Sequence, residues 1–171
     1  MQDFTFQINY DEASYTIMSY AGDEADVVIP GQYAGKPVTI LFDHLFAGHK
    51  ELRSVTFPDT ITDLGEFLFD GCESLRHIEL PPALENLWGY TFVRCGLEEI
   101  TLPDTVSTIP PYAFKECQNL KRVVCGKGMK KIHAWAFGGC DKLTDLVCGR
   151  NVDISPDAFK LNERILRLSY Q

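Results

Sequence analysis

Phenylalanine recurs along this chain at a nearly constant interval. Phe46, Phe69, Phe92, Phe114, Phe137 and Phe159 are spaced 23, 23, 22, 23 and 22 residues apart. A short fixed period of this kind predicts a stacked solenoid, in which each repeat is one supersecondary unit that cannot bury its apolar side alone. Such an array contacts mainly its own neighbours and presents long surfaces, so it points toward a partner rather than a reaction.

Alignment on the phenylalanines defines the unit. Three residues later stand Cys72, Cys95, Cys117 and Cys140, with His49 in the first unit and Asn162 in the last. Next comes a leucine column: Leu52, Leu75, Leu97, Leu120 and Leu143, with Ile165 last. It is followed by Val55, Ile78, Ile100, Val123, Leu146 and Leu168, and then by Phe57, Leu80, Leu102, Cys125 and Cys148. Pro58, Pro81 and Pro103 close three units, and Gly126 and Gly149 replace them in two others. The alternation Ile-x-Leu predicts a short strand with alternate side chains inward, ended by the proline or glycine. A second apolar pair, such as Ile61 and Leu64, predicts an opposite wall. Ser155-Pro156-Asp157-Ala158-Phe159 predicts a short helical turn carrying the phenylalanine, with serine as cap and proline at the first helical position. Ahead of the array, Phe4, Phe6, Ile8 and Tyr10 alternate with polar residues, and Asp11-Glu12-Ala13-Ser14 supplies a turn. This predicts a β-hairpin over residues 1–30 that caps an array over residues 31–171 within one structural domain. Arg164–Gln171 reads as a last strand with an open outer edge.

The unit resembles the BspA-like leucine-rich repeat, whose pattern is Leu-x-x-Ile-x-Ile-Pro-x-x-Val-x-x-Ile-x-x-x-Ala-Phe-x-x-Cys. Residues 75–95 read LRHIELPPALENLWGYTFVRC and residues 97–117 read LEEITLPDTVSTIPPYAFKEC. The resemblance covers about residues 38–168. It implies an α/β solenoid of about six units, a right-handed coil with short parallel strands on one wall and helical turns on the other. It also implies a bacterial origin, with adhesion or host-protein binding as a common family role.

Charge and composition narrow the function further. The formal net charge of −8 argues against non-specific nucleic-acid binding. Residues 1–100 hold 17 Asp/Glu and 5 Lys/Arg, a net of −12, while residues 101–171 hold 7 and 11, a net of +4. A solenoid with unlike ends can steer a partner or associate head to tail, so a homo-oligomer through the C-terminal edge is an expectation. No apolar run approaches the ~18 residues of a membrane span. Met1–Phe6 lacks the basic start and apolar core of a signal peptide. Residues alone therefore point to the cytoplasm, and family resemblance to a cell-surface or secreted protein whose leader has been removed.

Six cysteines invite redox or metal chemistry, yet four share one repeat position and two share another. No Cys-x-x-Cys pair and no zinc-ligand spacing occurs, so two internal columns of small buried side chains are expected, with disulfides and a metal site as lesser alternatives. No Gly-rich phosphate loop or Gly-x-Ser-x-Gly elbow is present. His44, His49, His77 and His133 fall in separate units. A His77–Glu79 pair on an open sheet has no pocket to shift its pKa. The sequence therefore predicts no catalytic residues, no cofactor and no metal.

Two binding surfaces are expected. One is the strand face, centred on His77, Glu79, Glu99, Thr101, Arg122 and Asp145. The other is an aromatic flank of Phe67, Tyr90, Tyr112 and Trp135, with Trp88 nearby. Those rings either seal the layer by stacking or form an exposed hot-spot surface, and the exposure of Trp88 and Trp135 decides which. The expected function is a non-enzymatic protein-interaction module with a protein partner. A self-assembling structural protein and a carbohydrate-binding module are the alternatives, the latter requiring exposed aromatics beside paired carboxylates.

Overall fold

The computed structural model describes residues 3–162 and 167–171. The chain winds into a β-solenoid of about 7 turns with parallel strands. Its first wall carries Asp26–Val28, Ser54–Thr56, Glu99–Thr101, Arg122–Val124, Asp145–Cys148 and Arg167–Tyr170. Its second wall carries Lys36–Leu41, Asp63–Leu64, Asn86–Leu87, Thr108–Ile109, Lys131–Ile132 and Asp153–Ile154. Within each wall, side chains at one repeat position fall into register. Val123 pairs with Ile100 on one side and Leu146 on the other, and Leu41, Leu64 and Leu87 align in the same way. These inward residues are buried, as the alternation requires.

The phenylalanines form the spine of the core. Successive rings from Phe46 to Phe137 lie 5.5, 5.2, 5.2 and 5.4 Å apart and are nearly parallel. Phe159 extends the stack at 5.5 Å but is only partly buried. A buried Phe contributes about 2–3 kcal/mol relative to an exposed one, and each ring also seats its neighbour.

The helical turns expected beneath these rings do not form, so the α/β description gives way to an all-β coil. No helix occurs among the described residues. The backbone shows why. The amides of Phe69, Phe92 and Phe114 donate to the carbonyls of Thr91, Ala113 and Ala136 in the next coil, each at 2.8 Å. Those donors are therefore unavailable for the i→i−4 bonds of a helix. The residue two before each Phe from Phe46 to Phe137 also adopts a left-handed conformation: φ is 61° at His44, 53° at Phe67, 61° at Tyr90, 62° at Tyr112 and 62° at Trp135. One such residue stops a right-handed helix. Ser155 still accepts a bond from the Asp157 amide at 3.4 Å, but it organises a turn.

Both walls contain one interruption. On the first wall the expected strand at Ile78–Leu80 is absent, and the ladder breaks between Ser54–Thr56 and Glu99–Thr101. Phe57, Ile78 and Leu80 remain half-buried at the break, and the ladder is continuous from Glu99–Thr101 onward, through units that place Leu102, Cys125 and Cys148 in the same column. Gly126 belongs to that region, and a Cβ there would meet the Pro103 carbonyl oxygen at 2.3 Å. On the second wall, the pairing stops between Asn86–Leu87 and Thr108–Ile109. The amides of Gly65, Trp88, His133 and Ser155 each bond a carbonyl of the preceding coil. Pro110 takes the equivalent place between Trp88 and His133 and has no proton to donate.

At the N-terminus, Asp3–Ile8 pairs antiparallel with Tyr15–Ala21, with a register shift between Thr5 and Phe6. Tyr15–Ala21 continues in parallel to Lys36–Leu41. The hairpin thus lies against the first coil, and Tyr20 packs on Phe46 at 5.3 Å. At the other end, Arg167–Tyr170 pairs with Asp145–Cys148. The expected strand residues Arg164, Ile165 and Leu166 lie outside the described residues.

Phe92→Ala is expected to lower unfolding stability by about 3–5 kcal/mol. Phe159→Ala, at the partly buried end of the stack, is expected to lower it by clearly less. Urea denaturation of the two variants checks this, and equal losses would contradict the stacked-spine account.

Candidate functional site

The first wall gathers most of the strand-face residues singled out from sequence. Outward positions alternate with the buried columns, so His77, Glu79, Glu99, Thr101 and Arg122 are all exposed. These five line one cleft of about 810 Å³, together with Pro82 and Pro103. A second cleft, on the other side of His77–Leu80, reaches Ser54, Thr56 and Asp59. The ladder break therefore leaves a gap on each side of His77–Leu80. Across the register, Arg122 stands between Glu99 and Asp145. Its Nε lies 3.2 Å from Asp145 Oδ2, while Ser169 Oγ donates to Asp145 Oδ1 at 3.4 Å. Asp145 adjoins the cleft through Arg122. Farther along the same wall, Asp26 accepts from Ser54 and Arg53, each at 2.8 Å, and its carboxyl is held below the usual range by the Ser54 hydroxyl first and Arg53 second. Acidic, basic and neutral groups alternate on this face within a few coils.

The aromatic flank divides into two parts. His44, Phe67, Tyr90, Tyr112 and Trp135 stack in one column, with centroids 5.0, 4.5, 4.7 and 6.2 Å apart. Tyr90, Tyr112 and Trp135 are half-buried by this stacking, and their left-handed backbone aligns them. Trp88 does not join the column. It is 52% exposed and borders a different cleft, between the second wall and the N-terminal hairpin. Nine of the ten residues predicted from sequence thus lie in three places, the strand-face cleft, the stacked column and the hairpin cleft, and Asp145 adjoins the first through Arg122.

That hairpin cleft, about 950 Å³, includes residues that sequence reasoning missed. Ile8 and Tyr10 come from the hairpin, and Phe42, Asp43, Asp63, Gly65 and Glu66 come from the second wall. A signal was present in the sequence. Phe42, Gly65 and Trp88 occupy one repeat position, each following an inward leucine of the aligned set Leu41, Leu64 and Leu87.

A coil of 22–23-residue turns with short parallel strands defines a leucine-rich repeat solenoid. The sequence model for the BspA type leucine rich repeat region matches residues 39–165 in 6 copies, and the chain belongs to that family. Among solved structures it is similar to the T. pallidum leucine rich repeat protein, with 27% identity and a TM-score of 0.81 over 98% of this chain and 82% of that one. It also resembles a leucine rich cell surface protein from Faecalibacterium prausnitzii, at 24% identity and a TM-score of 0.74, over 99% of this chain and 54% of the other. The pneumococcal vaccine antigen PcpA shares the fold at 18% identity and a TM-score of 0.75, over 99% of this chain and 48% of the other. The chain thus spans about half the length of the latter two. No curated protein matches it.

All six cysteines are free and buried. Their thiols bond the backbone between coils: Cys72, Cys117 and Cys140 donate to the carbonyls of Phe46, Phe92 and Phe114 at 3.2, 2.9 and 2.9 Å. Asn162 holds the equivalent place at the far end, and its Oδ1 accepts from the Cys140 amide at 3.1 Å. His49 leads the column half-buried, with no partner for its Nε2. Burial pushes the Cys95, Cys125 and Cys140 thiols up to about 12, far from the thiolate form that nucleophiles and metal ligands use.

A raised folded-state pKa means that the unfolded chain releases these protons first. Stability is therefore complete below the free-thiol pKa of about 8.5 and falls as pH rises toward 12, by about 1.4 kcal/mol per pH unit for each thiol. Urea unfolding between pH 7 and 11 is expected to show this decline, with a shallower limb in Cys125→Ala. Stability that stays constant to pH 10.5 would contradict it.

Proposed function

We propose that the chain is a non-enzymatic protein-interaction module that engages a protein partner along its first wall, centred on His77, Glu79, Glu99, Thr101, Arg122 and Asp145. One observation carries this reading: five of these residues line a single cleft where the strand ladder is interrupted. The gap leaves main-chain groups of His77–Leu80 without ladder partners, and an extended segment can use such groups for affinity while side chains supply specificity. Alternating charge on the rim favours an oriented partner. Membership of a repeat family whose architecture presents surfaces supports the same reading. A role at a bacterial surface or toward a host protein is its finer form. It draws on the family and on the F. prausnitzii relative described as a cell surface protein.

The test is a footprint. Proteins captured from host serum and from bacterial extracts are identified, purified and bound to the chain, and amide exchange is compared with and without each. Binding is expected to protect residues 77–80 and 99–101. Combined Arg122→Ala and Glu99→Ala substitution, on exposed side chains, is expected to weaken binding by about tenfold or more without changing the melting temperature. A footprint confined to the stacked aromatic column, or unchanged affinity in the double variant, sinks the reading.

A further inference from the structure

We infer that the cleft between the N-terminal hairpin and the second wall is a second binding site, which takes an arginine side chain from an extended, cationic segment of a partner protein. Four features of the cleft lead there. The first is its pair of aromatic walls. Phe42, Gly65 and Trp88 follow one another up one ladder, their amides bonding to Ile17, Leu41 and Leu64 at 2.9, 2.9 and 3.1 Å. Because Leu41 and Leu87 point inward, Phe42 and Trp88 beside them face outward, while Gly65 between them is buried. Phe42 is 44% exposed and Trp88 52% exposed, an unusual amount of uncovered ring for two residues bordering one cleft.

The second feature is the floor. Two ladder steps separate the backbones of Phe42 and Trp88 by about 10 Å, and a planar group touching rings on both sides needs about 7 Å. The position between them is Gly65, which lies buried beneath Asp43: a Cβ there would stand 2.6 Å from Asp43 Oδ1 and 2.7 Å from the Asp43 amide, so Asp43 covers the glycine between the two aromatic positions.

The third feature is charge. Glu12, Asp43, Asp63 and Glu66 border the cleft, and no lysine or arginine does. Lys36 is close by but donates to the Glu12 backbone carbonyl and makes no ion pair with these carboxylates among the described residues. Asp43 uses Oδ1 to accept the Glu66 amide at 2.7 Å. Asp63 is engaged by Thr62 and Asn86 at 2.7 and 3.0 Å. The Glu66 carboxylate is exposed and makes no hydrogen bond or ion pair among the described residues. These carboxylates lie in the half of the chain with net charge −12.

The fourth feature is the apolar lip. Ile8 and the fully exposed Tyr10 extend the ring surface onto the hairpin, where the neighbours of an arginine in an extended segment would lie. A guanidinium fits this combination better than an ammonium. It is planar, stacks on rings and offers a fork of donors to carboxylates. The site is independent of the strand-face reading, because it stands on the other wall and shares no residue with it.

The experiment uses the full chain and tryptophan fluorescence at low salt. The probe is a blocked Gly-Arg-Ile-Arg-Gly peptide, with lysine and neutral citrulline versions as controls. Binding is expected to be saturable and to weaken as salt rises. The citrulline peptide is expected to bind about tenfold more weakly, with the lysine peptide between them. Glu66→Gln, at an exposed position, is expected to weaken the arginine peptide by a similar factor, and Lys127→Ala, exposed and outside both clefts, to leave it unchanged. Trp88→Ala, read by calorimetry after circular dichroism confirms its fold, is expected to abolish it. Equal affinity for the citrulline peptide would overturn the inference. So would no binding at millimolar peptide, or undiminished binding by the Glu66→Gln variant. Binding of cellohexaose in place of the peptide would also overturn it, by reassigning the cleft to a glycan.

Discussion

The coils of this protein satisfy most of their backbone through the coils beside them. The amides under the phenylalanines donate across to the next turn, and the strand ladders do the same on both walls. The stacked rings complete what the backbone begins, since a ring seated between two others at just over 5 Å leaves no room for a cavity. The rest follows from this lateral bonding. It excludes helices from the turns, forces the left-handed aromatic positions into a column, and seats Cys72, Cys95, Cys117 and Cys140 where a thiol can reach a carbonyl one coil away. Surface residues are consequently free to vary, and both candidate sites are built from them.

Much of the architecture was legible in the sequence because the period is written in the inward residues. The phenylalanines, leucines and cysteines fall into the columns that their spacing demands, and those columns are buried through the middle of the array, while at its C-terminal end Phe159 is partly buried and Leu168 exposed. The turns were misread for a physical reason. Ser-Pro-Asp-Ala-Phe has helical capping chemistry, and local sequence does not reveal that the amides are claimed by the adjoining coil. The strand at Ile78–Leu80 was misread similarly. Its alternation is as good as that of Glu99–Thr101, so the local pattern does not separate the segment that pairs from the one that does not.

The sites were legible unevenly. Outward strand positions follow from alternation, so His77, Glu79, Glu99, Thr101 and Arg122 could be assigned to one face. Tyr90, Tyr112 and Trp135 were placed in one stripe correctly, yet Trp88 was drawn toward them by nearness in sequence when its repeat position belongs with Phe42 and Gly65. The hairpin cleft also depends on where Ile8 and Tyr10 come to rest, a tertiary fact with no periodic signal.

The two interruptions of the ladders occur at neighbouring levels of the array, one at His77–Leu80 and the other at Pro110. At that height the coils are joined by ring contacts such as Phe69–Phe92 and Phe92–Phe114, and by the cross-coil amide bonds of Phe69 and Phe92. Above and below it, both walls carry continuous ladders. Bending stiffness in a stacked coil comes mostly from those ladders, so compliance concentrates in one thin layer. The ladders thus divide the array into two runs, and the boundary between them falls near the place where the charge changes sign.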